Sequence, residues 1–223
     1  MALAREFQRP FALPGDAAEV VLVRHGSTGE GAAHAATPLL DGQSDPPLTE
    51  EGRVQSHAVS ARLSAEPIAA LFVTDLRRTA ETARPLADAT GVEPVVVPDL
   101  REVHLGDWER GEFEARIRRA DPLVDRLFRE QRWDVVPNAE PMERFARRVG
   151  AGLRAIADGL EPGCTAVAFV HGAVIAEACR QTAGSRGFAF LSPDNGSVTR
   201  LVRLGDGSWM LRSFNETSHL PAG

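Results

Sequence analysis

Residues 20–23 read Val-Val-Leu-Val and run directly into Arg24, His25, Gly26 and Ser27. Four branched apolar residues without polar alternation are the pattern of a strand covered on both faces, as in the middle of a parallel sheet. In open α/β sheets ligands gather at the carboxyl ends of strands. A cation, an imidazole and a flexible backbone position at that edge therefore suggest an anion site that contains a nucleophile or a base. A lone histidine at a strand end is more often a hydrogen-bonded structural residue, so the reading depends on the rest of the chain agreeing with it.

The 223 residues suit one domain, or a core with an inserted cap. The expected organisation is an extension over residues 1–19, flexible or loosely docked, then one domain over 20–223 with a helical cap at about 109–139. A hydrophobic fraction of 43% and a charged fraction of 25% are ordinary for a soluble globular protein. No apolar run approaches the ~20 residues that span a bilayer. Residues 1–18 include Arg5, Arg9, Pro10, Pro14 and Asp16 without a continuous apolar stretch, so no secretory signal is read.

Cys164 and Cys179 form no metal-ligand or Cys-x-x-Cys spacing, so two buried reduced thiols and a cytoplasmic location are expected. A net charge of −6 argues against a general nucleic-acid binder and requires any small anion to be met by a local cation cluster.

Residues 28–47, with Pro38, Gly42, Pro46 and Pro47, read as a loop. Thr49 is placed to cap a helix with Glu50 and Glu51 in its first turn and Val54, Ala58 and Leu63 facing inward. Residues 69–73 form a second strand, with Thr74 or Asp75 capping a helix over 76–90 that Gly91 stops and Pro85 should kink or shorten. Arg78 falls in the first turn of that helix, where a guanidinium and backbone N–H groups can face one anion.

After a third strand at 95–97, residues 100–108 show no clean period and read as a loop at the same sheet edge. Residues 110–132 suggest two short helices, with Phe113 and Ile117 on one face and Asp121 and Pro122 opening the second. They carry seven arginines against five acids, which suits a solvated face or a cap that recognises an anion. A long helix beginning near Met142 ends before Pro162 and Gly163, and residues 165–170 form another buried strand. That strand, too, ends in a histidine and a glycine, His171 and Gly172. Residues 198–204 and 208–214 around Gly205, Asp206 and Gly207 read as a hairpin.

The strand ends thus offer Arg24, His25, Arg78, Glu102 and His171. Two guanidiniums can hold a phosphate dianion by forked hydrogen bonds, one neutral imidazole can attack phosphorus, and a second imidazole can donate to the equatorial oxygens. Glu102 can protonate a leaving alkoxide and later, as carboxylate, activate water against a phosphohistidine. The scheme requires neither metal nor cofactor.

These residues resemble the histidine phosphatase superfamily, the phosphoglycerate mutase-like family. The resemblance covers most of the chain, through Arg24-His25-Gly26, Pro47-Leu48-Thr49, Arg78-Thr79-Ala80-Glu81-Thr82-Ala83, Leu100-Arg101-Glu102, His171-Gly172 and the segment 215–220. It implies a three-layer α/β/α sandwich around a mostly parallel sheet with a small helical cap. It places the phosphorylated nucleophile at His25, the proton donor at Glu102 and phosphate contacts at Arg24, Arg78, His171 and Gly172.

The implied activity is metal-independent hydrolysis of phosphomonoesters of small metabolites. Mutase-type phosphoryl transfer and a non-catalytic phospho-ligand or protein-binding module are the alternatives. The expected partner is a small phosphorylated metabolite, with no nucleic acid and no membrane. Two stretches depart from the family pattern: Ser27-Thr28-Gly29-Glu30-Gly31 lacks a polar amide, and Asn138-Ala139-Glu140-Pro141 replaces Gly-Glu-Ser. Both are expected to touch the substrate mouth. His34, His57 and His104 are expected to be surface or loop residues, and His219 a structural closing contact.

Overall fold

The computed structural model describes residues 10–29 and 37–221. His34, Glu30, Gly31 and residues 1–9 of the expected extension lie outside the described residues. The opening apolar run forms β1 (Ala18–Arg24), which starts two residues earlier than the expected domain boundary. Ala17 is already buried, and its carbonyl accepts from Gly163 N–H at 2.7 Å.

β1 sits inside a six-stranded sheet. On one side it pairs in parallel with β6 (Thr165–Val170), from Glu19 opposite Thr165 to Arg24 opposite Val170. β6 continues in parallel to β4 (Ile68–Val73), and β4 to the edge strand β5 (Pro94–Val96). On its other side β1 pairs antiparallel with β7 (Val198–Arg203), the first strand of a hairpin completed by β8 (Trp209–Glu216).

Because side chains alternate along a strand, an unbroken apolar run must feed two cores. Val20 and Leu22, with Ala166, Ala168 and Val170, join one cluster with α5 (Met142–Asp158) and α6 (Gly172–Ala183). Val21 and Val23, with Val167 and Phe169, join the other with α1 (Glu50–Leu63) and α2 (Arg77–Thr90). The result is the expected α/β/α sandwich.

Thr49 caps α1 by accepting from Gly52 N–H at 3.1 Å. Of the three residues expected to face inward, Leu63 is buried and Ala58 half-buried, but Val54 is 46% exposed, and Gly52, Ser56, Val59 and Ser60 complete the buried face. A Cβ on Gly52 would stand 2.2 Å from the Ser27 carbonyl oxygen, so this residue faces the loop after β1 and fixes the helix rotation. Residues four, seven, eight and eleven positions after it, Ser56, Val59, Ser60 and Leu63, then turn inward.

α2 begins after Leu76 with no side-chain cap, because the two expected caps are engaged elsewhere. Thr74 turns toward His171, and Asp75 pairs with Arg101. The helix runs through Pro85 to Gly91, whose φ of +70° closes it. The expected shortening does not occur; the buried side chains Thr82, Ala83, Leu86 and Ala87 on either side of Pro85 keep the helix against its neighbours.

The loop after β1 carries a small ribbon of β2 (Leu39–Leu40) and β3 (Gln43–Ser44). Residues 109–139 hold α3 (Glu112–Arg118), α4 (Pro122–Glu130) and a turn at Trp133–Val135. Ile117 is 44% exposed. Cys179 is buried, which pushes its thiol up to about 12, whereas Cys164 is only half-buried, and both are free. Among the described residues no helix is long and apolar enough to cross a membrane.

Candidate active site

The parallel, in-register pairing of β1 with β6 sets His25 and His171 side by side, one residue past each strand. Their rings meet with centroids 5.2 Å apart and planes at 61°. His25 Nδ1 lies 2.8 Å from the Gly26 carbonyl oxygen. A carbonyl can only accept, so Nδ1 carries a proton, and in the neutral ring the lone pair is on Nε2. The histidine backbone is held at both ends: its N–H donates to Val170 at 3.0 Å, and Asn195 Nδ2 donates to its carbonyl at 2.8 Å. A Cβ on Gly26 would stand 2.4 Å from the Gly52 carbonyl oxygen, so the turn after His25 and the start of α1 cross where only glycines fit.

Arg24 leaves the end of β1 half-buried, with Nη1 donating to the Pro193 carbonyl. Arg78, from the first turn of α2, is 7% exposed and donates to the Ser44 carbonyl at 2.8 Å. Burial lowers the pKa of both arginines from its ordinary value, and Glu102 opposes that shift. His171 is fully buried, with Nε2 2.9 Å from Thr74 Oγ1. Desolvation first, then Arg78 and the other cations nearby, holds its pKa well below the usual imidazole range.

Arg24 Nε and His171 Nδ1 are buried with no hydrogen-bond partner among the described residues. A Cβ on Gly172 would lie 3.4 Å from that same Arg24 Nε, so the guanidinium rests against the N-terminus of α6. Two unmatched buried nitrogens beside a helix N-terminus and a second arginine form a receptor for an anion with several oxygens.

Glu102 faces this group from the loop after β5. Its two carboxylate oxygens accept from Val103 N–H at 2.9 Å and Ala173 N–H at 3.2 Å. Burial raises its pKa above the usual carboxylate range, against the lowering by those two N–H groups and by Arg78 and Arg24. Such a carboxyl can hold a proton closer to neutrality and pass it on.

Several residues that shape the site had no sequence signal of their own. Arg148 on α5 donates to the carbonyls of Asp99 at 2.9 Å, of Arg101, and of Glu102 at 2.9 Å. It is held by Glu140 at 2.7 Å. Gln43 adds a second donor to the Glu102 carbonyl at 2.7 Å. Glu140 does not line the cavity, so the departure at residues 138–141 acts on the support of Glu102 rather than on the substrate mouth. A side-chain lock between a helix and a loop leaves no periodic trace in a sequence.

The cavity over these groups has a volume of about 350 Å³ and is lined by Arg24, His25, Arg78, Glu102 and Gly172 among others. Trp108 is part of its wall. None of the arginines of residues 110–132 lines it; Arg116, Arg126 and Arg132 pair with neighbouring carboxylates, which is the solvated-face reading. His57 is exposed, His104 Nδ1 accepts from Gly106 N–H, and His219 Nε2 donates to the Gly196 carbonyl. Among the described residues no group of three or more His, Cys, Asp or Glu side chains is arranged to hold a metal ion.

The model of the histidine phosphatase superfamily (branch 1) matches residues 20–217. A probable phosphoglycerate mutase, GpmB, of Yersinia enterocolitica is 34% identical over 135 residues, which are 60% of this chain and 61% of that protein. The match therefore spans less than two thirds of that relative's length. Among solved structures, a mycobacterial glucosyl-3-phosphoglycerate phosphatase is 29% identical with a TM-score of 0.72, over 90% of this chain and 99% of that one. YhfR of Bacillus stearothermophilus is 27% identical with a TM-score of 0.77, over 92% and 100%. A phosphoglycerate mutase from Bacillus anthracis, at 22% identity and a TM-score of 0.78 over 92% and 95%, is a likeness of fold.

Proposed function

The chain belongs to the histidine phosphatase superfamily, and from that premise we propose that it hydrolyses phosphomonoesters of small metabolites through a phosphohistidine at His25. The observation that carries this reading is the His25 ring itself. Its Nδ1 is turned to the Gly26 carbonyl, so that in the neutral ring the lone pair sits on Nε2, and the ring lies with Arg24 and Arg78 in the cavity lining and against the His171 imidazole.

In this mechanism Arg24, Arg78, His171 and the N-terminus of α6 at Gly172 hold the phosphoryl oxygens. Nε2 of His25 forms a bond to phosphorus while the bond from phosphorus to the ester oxygen breaks. Glu102, as the acid, gives its proton to the departing alkoxide. The resulting carboxylate takes a proton from water, whose oxygen attacks the phosphohistidine. Inorganic phosphate leaves, and His25 and Glu102 return to their first states. As charge moves onto the equatorial oxygens, the arginines and the two unmatched nitrogens supply the electrostatic stabilisation on which phosphoryl transfer depends.

Similarity to the probable phosphoglycerate mutase favours a second reading, in which the phosphoryl group returns to a sugar acid rather than to water. Phosphate release from small esters in the presence of chelator, beside His25→Ala, tests the first. Conversion of 3-phosphoglycerate to its 2-isomer without phosphate release would select the second.

A further inference from the structure

Part of the cavity lining is not used by phosphate chemistry, and beside polar residues such as Ser44, Ser192 and Asn195 it holds an apolar group. Leu105, Trp108, Phe113, Trp133 and Leu191 make up that group. The three aromatic rings form a continuous series, with Phe113 6.1 Å from Trp108 and 6.0 Å from Trp133 between centroids. Trp133 is backed in turn by Phe188 at 4.9 Å. The rings are therefore fixed by one another, and the cavity offers them preformed to a ligand.

Among the described lining residues, the charged ones beyond the phosphate centre are acidic. Glu109 and Glu114 line the cavity, and Glu109 is held in place by Ser44 and Leu105. Arg24 and Arg78 are the only arginines among the described residues of the lining, and both belong to the phosphate cluster. A carboxylate or second phosphate on the alcohol would meet Glu109 and, among the described lining residues, no lysine or arginine outside the phosphate cluster.

We propose that the preferred substrate is the phosphomonoester of an uncharged alcohol with a flat, apolar body that lies against Phe113 and its neighbouring rings. This rests on the phosphatase reading for its reaction and on the cavity wall for its ligand.

The test compares binding and turnover of three esters of ordinary alcohols: 2-phenylethyl phosphate, glycerol 3-phosphate and 3-phosphoglycerate. Binding is measured by calorimetry on the His25→Ala protein, which cannot be phosphorylated at that position. The aromatic ester is expected to bind about 10-fold tighter than glycerol 3-phosphate, from burial of one ring face, with 3-phosphoglycerate weakest. Adding Phe113→Ala is expected to weaken the aromatic ester about 5-fold more than glycerol 3-phosphate.

If 3-phosphoglycerate binds as tightly as the aromatic ester, or Phe113→Ala weakens both esters equally, the proposed ligand class is wrong. Phosphate release by the unsubstituted enzyme separates the two readings. The expected binding order without any release would remove the hydrolase and leave the ligand class standing.

Discussion

His25 and His171 meet edge to face, their ring centroids 5.2 Å apart, beside two buried or half-buried arginines. The crowding has an electrostatic consequence. Desolvation and the neighbouring cations hold His171 well below the ordinary imidazole pKa, so it is neutral at pH 7. An incoming phosphate dianion supplies the opposing charge and should draw a proton onto it.

We predict that the ring signals of His171 in the free protein do not titrate near the unperturbed value of about 6.5, and that inorganic phosphate moves their titration upward. Because the folded pKa is depressed, the unfolded chain takes up the proton first as pH falls. His171 should therefore cost stability below about pH 6.5, a loss complete once the pH passes the folded pKa. A normal imidazole titration in the free protein would contradict this.

Glu102 opens a second prediction, since its carboxyl is pushed up by burial yet gripped by the N–H groups of Val103 and Ala173. Glu102→Gln keeps the shape and removes the transferable proton. Turnover of alkyl phosphates should fall about 10²- to 10⁴-fold, and that of aryl phosphates, whose leaving groups need less protonation, by much less. Equal losses for both ester classes would refute the acid role.

Arg148 never touches the substrate cavity, yet it holds the carbonyl of Glu102 at 2.9 Å. We predict that Arg148→Ala lowers kcat on alkyl esters about 10- to 100-fold through misplacement of the acid, with little change in the affinity for inorganic phosphate. Folding stability should drop by about 3 kcal/mol, because Glu140 loses its partner in a buried setting. Loss of phosphate affinity in step with kcat would mean that Arg148 acts on the whole pocket instead.

Gly52 gives a prediction about stability rather than chemistry. A Cβ there would stand 2.2 Å from the backbone oxygen of Ser27, which cannot move without shifting the turn after His25. Gly52→Ala should therefore destabilise the protein by about 2 kcal/mol or more by overpacking, despite the higher helix propensity of alanine. A melting temperature equal to or above that of the parent would show that the crossing can relax.

These cases separate what local sequence carries from what it does not. The juxtaposition of His25 with His171 was legible because each follows its own buried strand and precedes a glycine. Two such strands in one parallel sheet bring their ends together. Arg78 was legible from its place in the first turn of a helix. On α1 Leu63 faces inward as expected and Val54 does not, because a close backbone approach at Gly52 sets the helix rotation. The Arg148–Glu140 lock and the Gln43 contact join segments far apart in the chain, and no spacing rule announces them. The aromatic wall gave no such signal: Trp133 and Phe113 reach the cavity only through the packing of the segment that holds α3 and α4.

The central claim is the covalent bond between phosphorus and His25 Nε2. Its most direct test is rapid quenching of the enzyme with a radiolabelled phosphomonoester into alkali, followed by mapping of the protein-bound label by mass spectrometry. The account predicts an acid-labile, alkali-stable label on His25, formed in the presence of chelator and absent from His25→Ala. Steady turnover with no trapped label, label on another residue, or undiminished turnover by His25→Ala would contradict it.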